Sequence, residues 1–174
     1  AIALHWLIFA LVAAGFALGL YLTELPSSPD KLRFTAWHRS IGVTIFWLAL
    51  ARAAWRLAYP APPLPSTMPA WQRRTAGLTH ALLYMLIVVV PLSGWLHSSA
   101  AGTQTVYLGW LALPDAAGRS EALAATLKVA HVTLNYALFA LVSLHAGAAL
   151  AHHYIEGDGV LARMLPFAKL RDDG

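Results

Sequence analysis

Residues 131–145 read HVTLNYALFALVSLH, and this stretch decides the fold because it combines a lipid-soluble segment with a histidine at each end. Only Thr133, Asn135 and Ser143 interrupt the apolar side chains, so the segment is too apolar for a helix that faces water. An ionisable side chain inside the hydrocarbon of a bilayer is costly, and each imidazole there needs a partner or a metal. The stretch therefore predicts a transmembrane helix whose two histidines have a chemical role.

The composition of the whole chain also favours lipid surroundings. Of its 174 residues 59% are hydrophobic and 11% are charged, whereas soluble domains carry about 25% charged residues. The chain has no cysteine, which excludes disulfides, thiolate metal sites, iron–sulfur clusters and covalent haem attachment through a Cys-x-x-Cys-His motif. Its eight histidines are therefore the main candidates for binding a metal or for other chemistry. The formal net charge of +4 is modest, and we expect no nucleic-acid partner.

Four apolar segments are long enough to cross a bilayer core, which needs about 20 residues for each helix. They cover approximately residues 2–22, 36–55, 78–97 and 123–154. The predicted connections are rich in charges, prolines and glycines, and comprise residues 24–33, the run YPAPPLPSTMP at 59–69, and residues 100–120. The sequence therefore predicts an all-α integral membrane bundle of four helices, with residues 1–174 as a single transmembrane domain.

The basic residues of the connections predict the orientation of this bundle. The second connection and its flanks hold four arginines and no acidic residue: Arg52, Arg56, Arg73 and Arg74. The first and third connections mix basic with acidic residues. Because cytoplasmic loops carry the excess of lysine and arginine, we expect the second connection and both termini on the cytoplasmic side.

The predicted topology also indicates which histidines face each other. His131 and His145 are fourteen residues apart, which is about 21 Å along a helix and about 40° around it. They therefore lie on one face near opposite sides of the membrane. His38 begins the second span on the outer side and His5 begins the first span on the cytoplasmic side. Matching depths predict the pairs His38/His131 and His5/His145.

Paired imidazoles at two depths suit two cofactors that are stacked across the bilayer. Neutral imidazole is a good ligand for iron, and haem is held by axial residues that can come from two helices. Gly15, Gly19 and Gly42 either permit close approach of a flat porphyrin or serve ordinary small-residue helix packing.

The other four histidines have weaker assignments. His80 is expected to hydrogen-bond near a haem edge or a quinone, or simply to pack. His97, beside two serines at a helix end, is expected to be an interfacial residue exposed to water. These two residues are about 100° from a common helix face, so they are not expected to address the same stack of cofactors. His152 and His153 are expected at an exposed helix end, with His152 as a candidate for a cytoplasmic quinone pocket.

Four blocks of sequence together resemble the bacterial cytochrome b561 family. They are ALHWLIF at 3–9, WHRSIGVTIFWLALARAAWRLAYPAPPLP at 37–65, THALLYMLIVVVPLSGWLHS at 79–98 and KVAHVTLNYALFALVSLHAGAALAHHY at 128–154. This is a family of four-helix, di-haem membrane cytochromes, related to the cytochrome b subunits of nickel–iron hydrogenases and formate dehydrogenases. The resemblance covers nearly the whole chain.

The resemblance implies two b-type haems with His5, His38, His131 and His145 as iron ligands, the same four histidines that depth had paired. It also implies electron transfer that involves a quinone such as ubiquinone in the bacterial cytoplasmic (inner) membrane. Some members resemble superoxide oxidases, which pass an electron from periplasmic superoxide through the haems to ubiquinone. The electron donor is therefore expected to be superoxide, a periplasmic redox protein or a partner subunit.

Several basic residues are candidates for contacts with these ligands. Those expected at the outer edge are Lys31, Arg33, Arg39 and Lys128. They either attract superoxide by electrostatic steering or, as we favour, pair with haem propionates or with the carboxylates of Glu24, Asp30 and Glu121. Arg52 and Arg56 are positive-inside anchors or partners of the propionates of the inner haem.

Two rival functions are compatible with four spans and several histidines. One is a membrane cytochrome b subunit that receives electrons from a hydrogenase- or dehydrogenase-type complex. The other is a haem-free transporter lined by histidines, which predicts carboxylates within the membrane. The cores of the four predicted spans contain no Asp or Glu, so the sequence favours a transmembrane electron-transfer protein.

Overall fold

Long apolar helices dominate the structure, a computed structural model that describes residues 1–60, 68–158 and 160–165. Within these residues, four helices are long and apolar enough to cross a membrane. They are α1 (Ile2–Glu24), α2 (Pro29–Ala58), α3 (Ala70–Ala100) and α4 (Glu121–Ala151). At most 11% of the most apolar window of each helix is buried inside the protein. The remaining apolar surface requires lipid, so the fold is an integral membrane bundle of four helices, as predicted.

Consecutive helices run in opposite directions across the bundle. α3 packs most extensively against α4, and α2 packs against both α3 and α1. The small buried core lies between α3 and α4 and contains Leu86, Val90 and Leu138. α1 meets α4 through aromatic side chains, with the rings of Phe16 and Phe139 stacked 4.9 Å apart.

One end of the bundle is covered by a small antiparallel hairpin of β1 (Val106–Tyr107) and β2 (Leu111–Ala112), and we call it the hairpin end. The hairpin is fixed to α2 by a hydrogen bond of 3.1 Å between the hydroxyls of Tyr107 and Thr44. The sequence predicted only a connection over residues 100–120, because strands of two residues are too short to show an alternating pattern.

The opposite end carries the N-terminus, and we call it the terminal end. Here α4 continues into a π-helical turn (His152–Glu156), and a short 3-10 helix follows (Ala162–Met164). The indole N–H of Trp6 donates to the carbonyl of Met164 at 2.7 Å. The segment after α4 therefore folds back onto α1.

Two helices begin well before the predicted spans. α2 starts at Pro29 because the Ser28 hydroxyl accepts a hydrogen bond from the backbone N–H of Lys31, and proline suits the first helical position. α3 starts at Ala70, directly after Pro69. Hydropathy marks only the part of a helix within lipid and misses the polar turns that extend it. Most of the predicted proline-rich connection, residues 61–67, lies outside the described residues.

Candidate functional site

Two histidine pairs lie inside the bundle, one toward each end. Toward the hairpin end, the rings of His38 and His131 have centroids 6.2 Å apart and planes at 87°. Toward the terminal end, the rings of His5 and His145 are also 6.2 Å apart, with planes at 71°. The structure thus brings the four histidines together in the two combinations that the sequence suggested. Their role as haem ligands stays a prediction.

The spacing within each pair fits one metal atom between two imidazoles. An imidazole nitrogen binds a first-row metal at about 2 Å, and the ring centre lies about 1 Å behind that nitrogen, so two opposed rings are about 6 Å apart. Rings joined by a direct hydrogen bond would be closer. Within the described part of the chain, no hydrogen bond joins the two imidazoles of either pair.

The imidazole of His131 is held in one tautomer by α3. Its Nδ1 lies 3.1 Å from the carbonyl oxygen of Val90 and 2.9 Å from the hydroxyl of Ser93. A carbonyl only accepts, so Nδ1 carries the proton and the lone pair of Nε2 is free to bind a metal. No described residue hydrogen-bonds this Nε2. Such support of the second ring nitrogen is what metal-binding histidines use.

Two glycines make room for the imidazoles at the hairpin end. A Cβ on Gly94 would lie 3.0 Å from Cε1 of His131, and a Cβ on Gly19 would lie 3.2 Å from Cε1 of His38. The sequence had indicated Gly19 but missed Gly94, although it follows Pro91 by three residues inside an apolar helix. The other two candidate glycines, Gly15 and Gly42, meet Ile41 and Pro91 in helix packing.

A cavity opens beside the hairpin-end pair. Its volume is about 250 Å³. His38 and His131 both line it, together with apolar side chains that include Phe46, Trp47 and Leu92. Polar side chains line it as well: Thr35, Arg39, His97, Ser98 and Thr105. A second, smaller cavity of about 50 Å³ is lined by the same two histidines.

His97 lines the larger cavity and is half-buried, so it is not the fully exposed helix-end residue that was expected. Its Nδ1 lies 3.0 Å from the carbonyl oxygen of Ala124 in α4. The two neighbouring serines, Ser98 and Ser99, are only 4% and 3% exposed. The reason is that α3 continues to Ala100 and that the residues after it cover its last turn.

A third imidazole stands beside the terminal-end pair. The ring of His80 lies 5.3 Å from that of His145, with planes at 70°. His80 thus lies beside the terminal-end pair, and His97 lies on the wall of the cavity beside the hairpin-end pair. Whether both α3 histidines address one stack of cofactors stays a prediction.

Arg52 is a basic residue near the terminal-end pair. It lies within electrostatic range of His5, His80 and His145. Its Nε donates to the Tyr84 hydroxyl at 3.2 Å, and its Nη1 donates to the carbonyl of Ala1 at 3.3 Å. Arg56 is exposed but remains within electrostatic range of His80.

His152 is held in the turn after α4 and is not a free helix-end residue. Its side chain is 16% exposed, and its Nδ1 lies 2.7 Å from Asp158 Oδ2 and 3.1 Å from Glu156 Oε2. The chain reverses through Gly157, whose φ of +69° suits glycine. The sequence did not predict this reversal, whereas His153 is exposed as expected.

The basic residues of the hairpin end make no ion pairs with the carboxylates described in the structure. Lys31 Nζ donates to the Leu25 carbonyl at 2.6 Å, and the Arg33 guanidinium lies 4.6 Å over the Trp37 ring. The expected pairing with Glu24, Asp30 or Glu121 is therefore wrong within residues 1–60, 68–158 and 160–165. Lys128 is exposed and is not part of the cavity wall.

The fold and these sites define a class of protein: a four-helix membrane protein with an internal histidine pair toward each end. The chain belongs to the prokaryotic cytochrome b561 family, which it matches over residues 1–167. It therefore belongs to the multi-pass bacterial membrane proteins that bind b-type haem and transfer electrons.

Three relatives are similar over most of their length. Cytochrome b561 homolog 2 of Escherichia coli (strain K12) is 36% identical, over 94% of this chain and 87% of that protein. Cytochrome b561 homolog 1 of the same organism is 32% identical, over 95% and 94%. A protein of Yersinia pestis named probable superoxide oxidase CybB is 31% identical, over 95% and 93%.

Proposed function

We propose that this cytochrome transfers electrons across the bacterial inner membrane through two b haems. His38 and His131 would hold one haem, and His5 and His145 would hold the other. The observation that carries the proposal is the ring spacing of 6.2 Å in both pairs. α4 contributes one histidine to each pair, about 21 Å apart along its axis. That distance covers much of a hydrocarbon core of about 30 Å.

Haem b held by these histidines would supply a one-electron Fe(III)/Fe(II) couple. The residues of the chain hold and tune this couple. Ser93 and the Val90 carbonyl fix the His131 imidazole, and apolar side chains form much of the cavity wall. Two histidines on one iron would leave it no position for a substrate. The chain is therefore suited to electron transfer and not to chemistry at the metal.

The terminal end is the cytoplasmic side in this proposal, because Arg52, Arg56, Arg73 and Arg74 lie there. A quinone such as ubiquinone would exchange electrons at this end. His80 lies beside the terminal-end pair, and His152 with its carboxylate partners is the second polar group available there. Both are candidates to hydrogen-bond a quinone oxygen.

Superoxide is the candidate electron donor at the hairpin end. One relative is named a probable superoxide oxidase, and the basic residues of this end lack carboxylate partners within the described residues. Their positive charge would attract a small anion. We expect the rate of haem reduction by superoxide to fall as ionic strength rises, because salt screens exposed charges. Stopped-flow spectroscopy at several salt concentrations measures this, and a salt-independent rate would argue against steering.

The haem content of the purified protein tests the proposal directly. A reduced-minus-oxidised visible spectrum should show a sharp b-type α band, and pyridine haemochrome should count two haems per chain. Anaerobic addition of ubiquinol should then change the redox state of the haems. A folded protein that lacks haem when it is expressed with ample haem supply contradicts the proposal.

A further inference from the structure

We propose that Thr105, aided by Ser98, binds a carboxylate at the polar wall of the larger cavity, namely a propionate of the haem that His38 and His131 would hold. This inference rests on the proposed function. It assigns a ligand contact to two hydroxyls that the sequence did not single out.

Thr105 carries the first observation. It is 3% exposed, its Oγ1 has no hydrogen-bond partner among the described residues, and it lines the cavity. A buried hydroxyl without a partner is unfavourable, and such groups in folded proteins are nearly always satisfied. A hydroxyl that no described protein atom satisfies, and that lines the same cavity as His38 and His131, therefore points to an atom of the cofactor.

The backbone around Thr105 is fixed, so the hydroxyl is held in place. Its carbonyl accepts a hydrogen bond from the N–H of Leu113 at 2.9 Å. Arg39 donates to the Thr103 hydroxyl at 2.9 Å and to the Gln104 carbonyl at 3.3 Å. The guanidinium that ties this segment to α2 also places a positive charge on the cavity wall.

Ser98 is the second hydroxyl on this wall. It is 4% exposed and lines the cavity. Its backbone carbonyl accepts from the Thr103 hydroxyl at 3.1 Å. This hydrogen bond joins Ser98, in the last turn of α3, to the segment that carries Thr105.

The charge of the cavity wall favours an anion. Thr105, Ser98 and Arg39 line it, and no described Asp or Glu does. The rest of the wall is largely apolar. A flat apolar molecule with a carboxylate at its edge fits both the apolar and the polar part of the wall. Its carboxylate would accept charge-assisted hydrogen bonds, which are stronger than neutral ones.

Thr105→Val in the haem-loaded protein tests this contact, because valine keeps the shape and removes the hydroxyl. A propionate that loses a donor carries more effective negative charge and favours ferric iron. We expect the midpoint potential of the hairpin-end haem to fall by about 30 mV, a roughly threefold change in a one-electron equilibrium. Redox-difference infrared spectra with haem labelled with carbon-13 at the propionates should show a shifted carboxylate band.

Three variants accompany this measurement. Thr105→Ser retains the hydroxyl and should keep the wild-type potential. Ser98→Ala is an independent variant, with a change in the same direction as Thr105→Val. Thr126→Val removes a hydroxyl that donates to the Ala122 carbonyl on the exposed face of α4, and should leave potential and band unchanged.

The outcomes separate the contact from the proposed function. Unchanged potential and unchanged propionate band in both Thr105→Val and Ser98→Ala, with two haems present, overturn the contact and leave the proposed function standing. A change confined to the rate of reduction by superoxide means that the hydroxyls serve an anion from solution, which also overturns the propionate contact. A wild-type protein without haem overturns both.

Discussion

The His131→Ala variant is expected to contain one haem per chain in place of two. His131 is one half of the hairpin-end pair, and its ring has the 6.2 Å spacing to His38 that a bound metal requires. Alanine leaves that metal with one axial imidazole. The terminal-end pair does not include His131, so its haem should remain with an unchanged α band. Pyridine haemochrome and visible spectra of the purified variant measure both quantities.

The matched variants are His145→Ala and His153→Ala. His145→Ala should remove the other haem. The absorption band lost in this variant should lie at a different wavelength from the band lost in His131→Ala. His153 is exposed and makes no contact with either pair, so His153→Ala should keep two haems. Retention of two normal haems in His131→Ala would contradict the assignment of the hairpin-end site.

The second large effect is expected from Gly94→Ala. The added Cβ would lie 3.0 Å from Cε1 and 3.3 Å from Nδ1 of His131. The ring has little freedom to move, because Nδ1 is hydrogen-bonded to Val90 and Ser93. Displacement of the ring from this support should weaken haem binding at this site by about 10–100-fold, the usual range for disturbed support of a metal ligand. Titration of haem against the purified variant measures the affinity.

Gly147→Ala is the control for this change. Gly147 also lies within a transmembrane helix, but a Cβ there would meet no atom within 4 Å. Haem content should be normal, and the helix should gain up to about 1 kcal/mol because alanine is the better helix former. Equal haem affinity in Gly94→Ala and Gly147→Ala would show that His131 tolerates a displaced position.

The transmembrane spans and the histidine pairs were predictable because both depend on local patterns. Hydropathy located each span, and the helical repeat put His131 and His145 on one face. Alternating helix direction then matched each of them to a histidine at the same depth. None of these steps requires knowledge of how side chains pack.

The starts of α2 and α3 were not predicted correctly, because the criterion was hydropathy alone. The Ser28–Pro29 cap was visible in the sequence and would have corrected the start of α2. Residues 70–77 of α3 contain no apolar run. Only the preceding Pro69 indicated that a helix starts there.

The residues around the histidines were mostly not predictable. Ser93 supports His131 across 38 residues of chain. The segment of Thr105 is tied to α2 by hydrogen bonds of Arg39 and Tyr107. His97 and His152 were expected to face water, but the chain folds over the last turn of α3 and beyond the end of α4. Such contacts depend on tertiary structure, which no local pattern of the sequence encodes.

Electron transfer across sealed vesicles tests the central claim most directly. The protein is reconstituted into liposomes that contain ferricyanide, and a membrane-impermeant reductant is added outside. We predict that the wild type bleaches the internal ferricyanide and that His131→Ala and His145→Ala each abolish the transfer, while His153→Ala does not. Transfer that survives the loss of either haem, or a two-haem protein that transfers no electrons, would contradict the account.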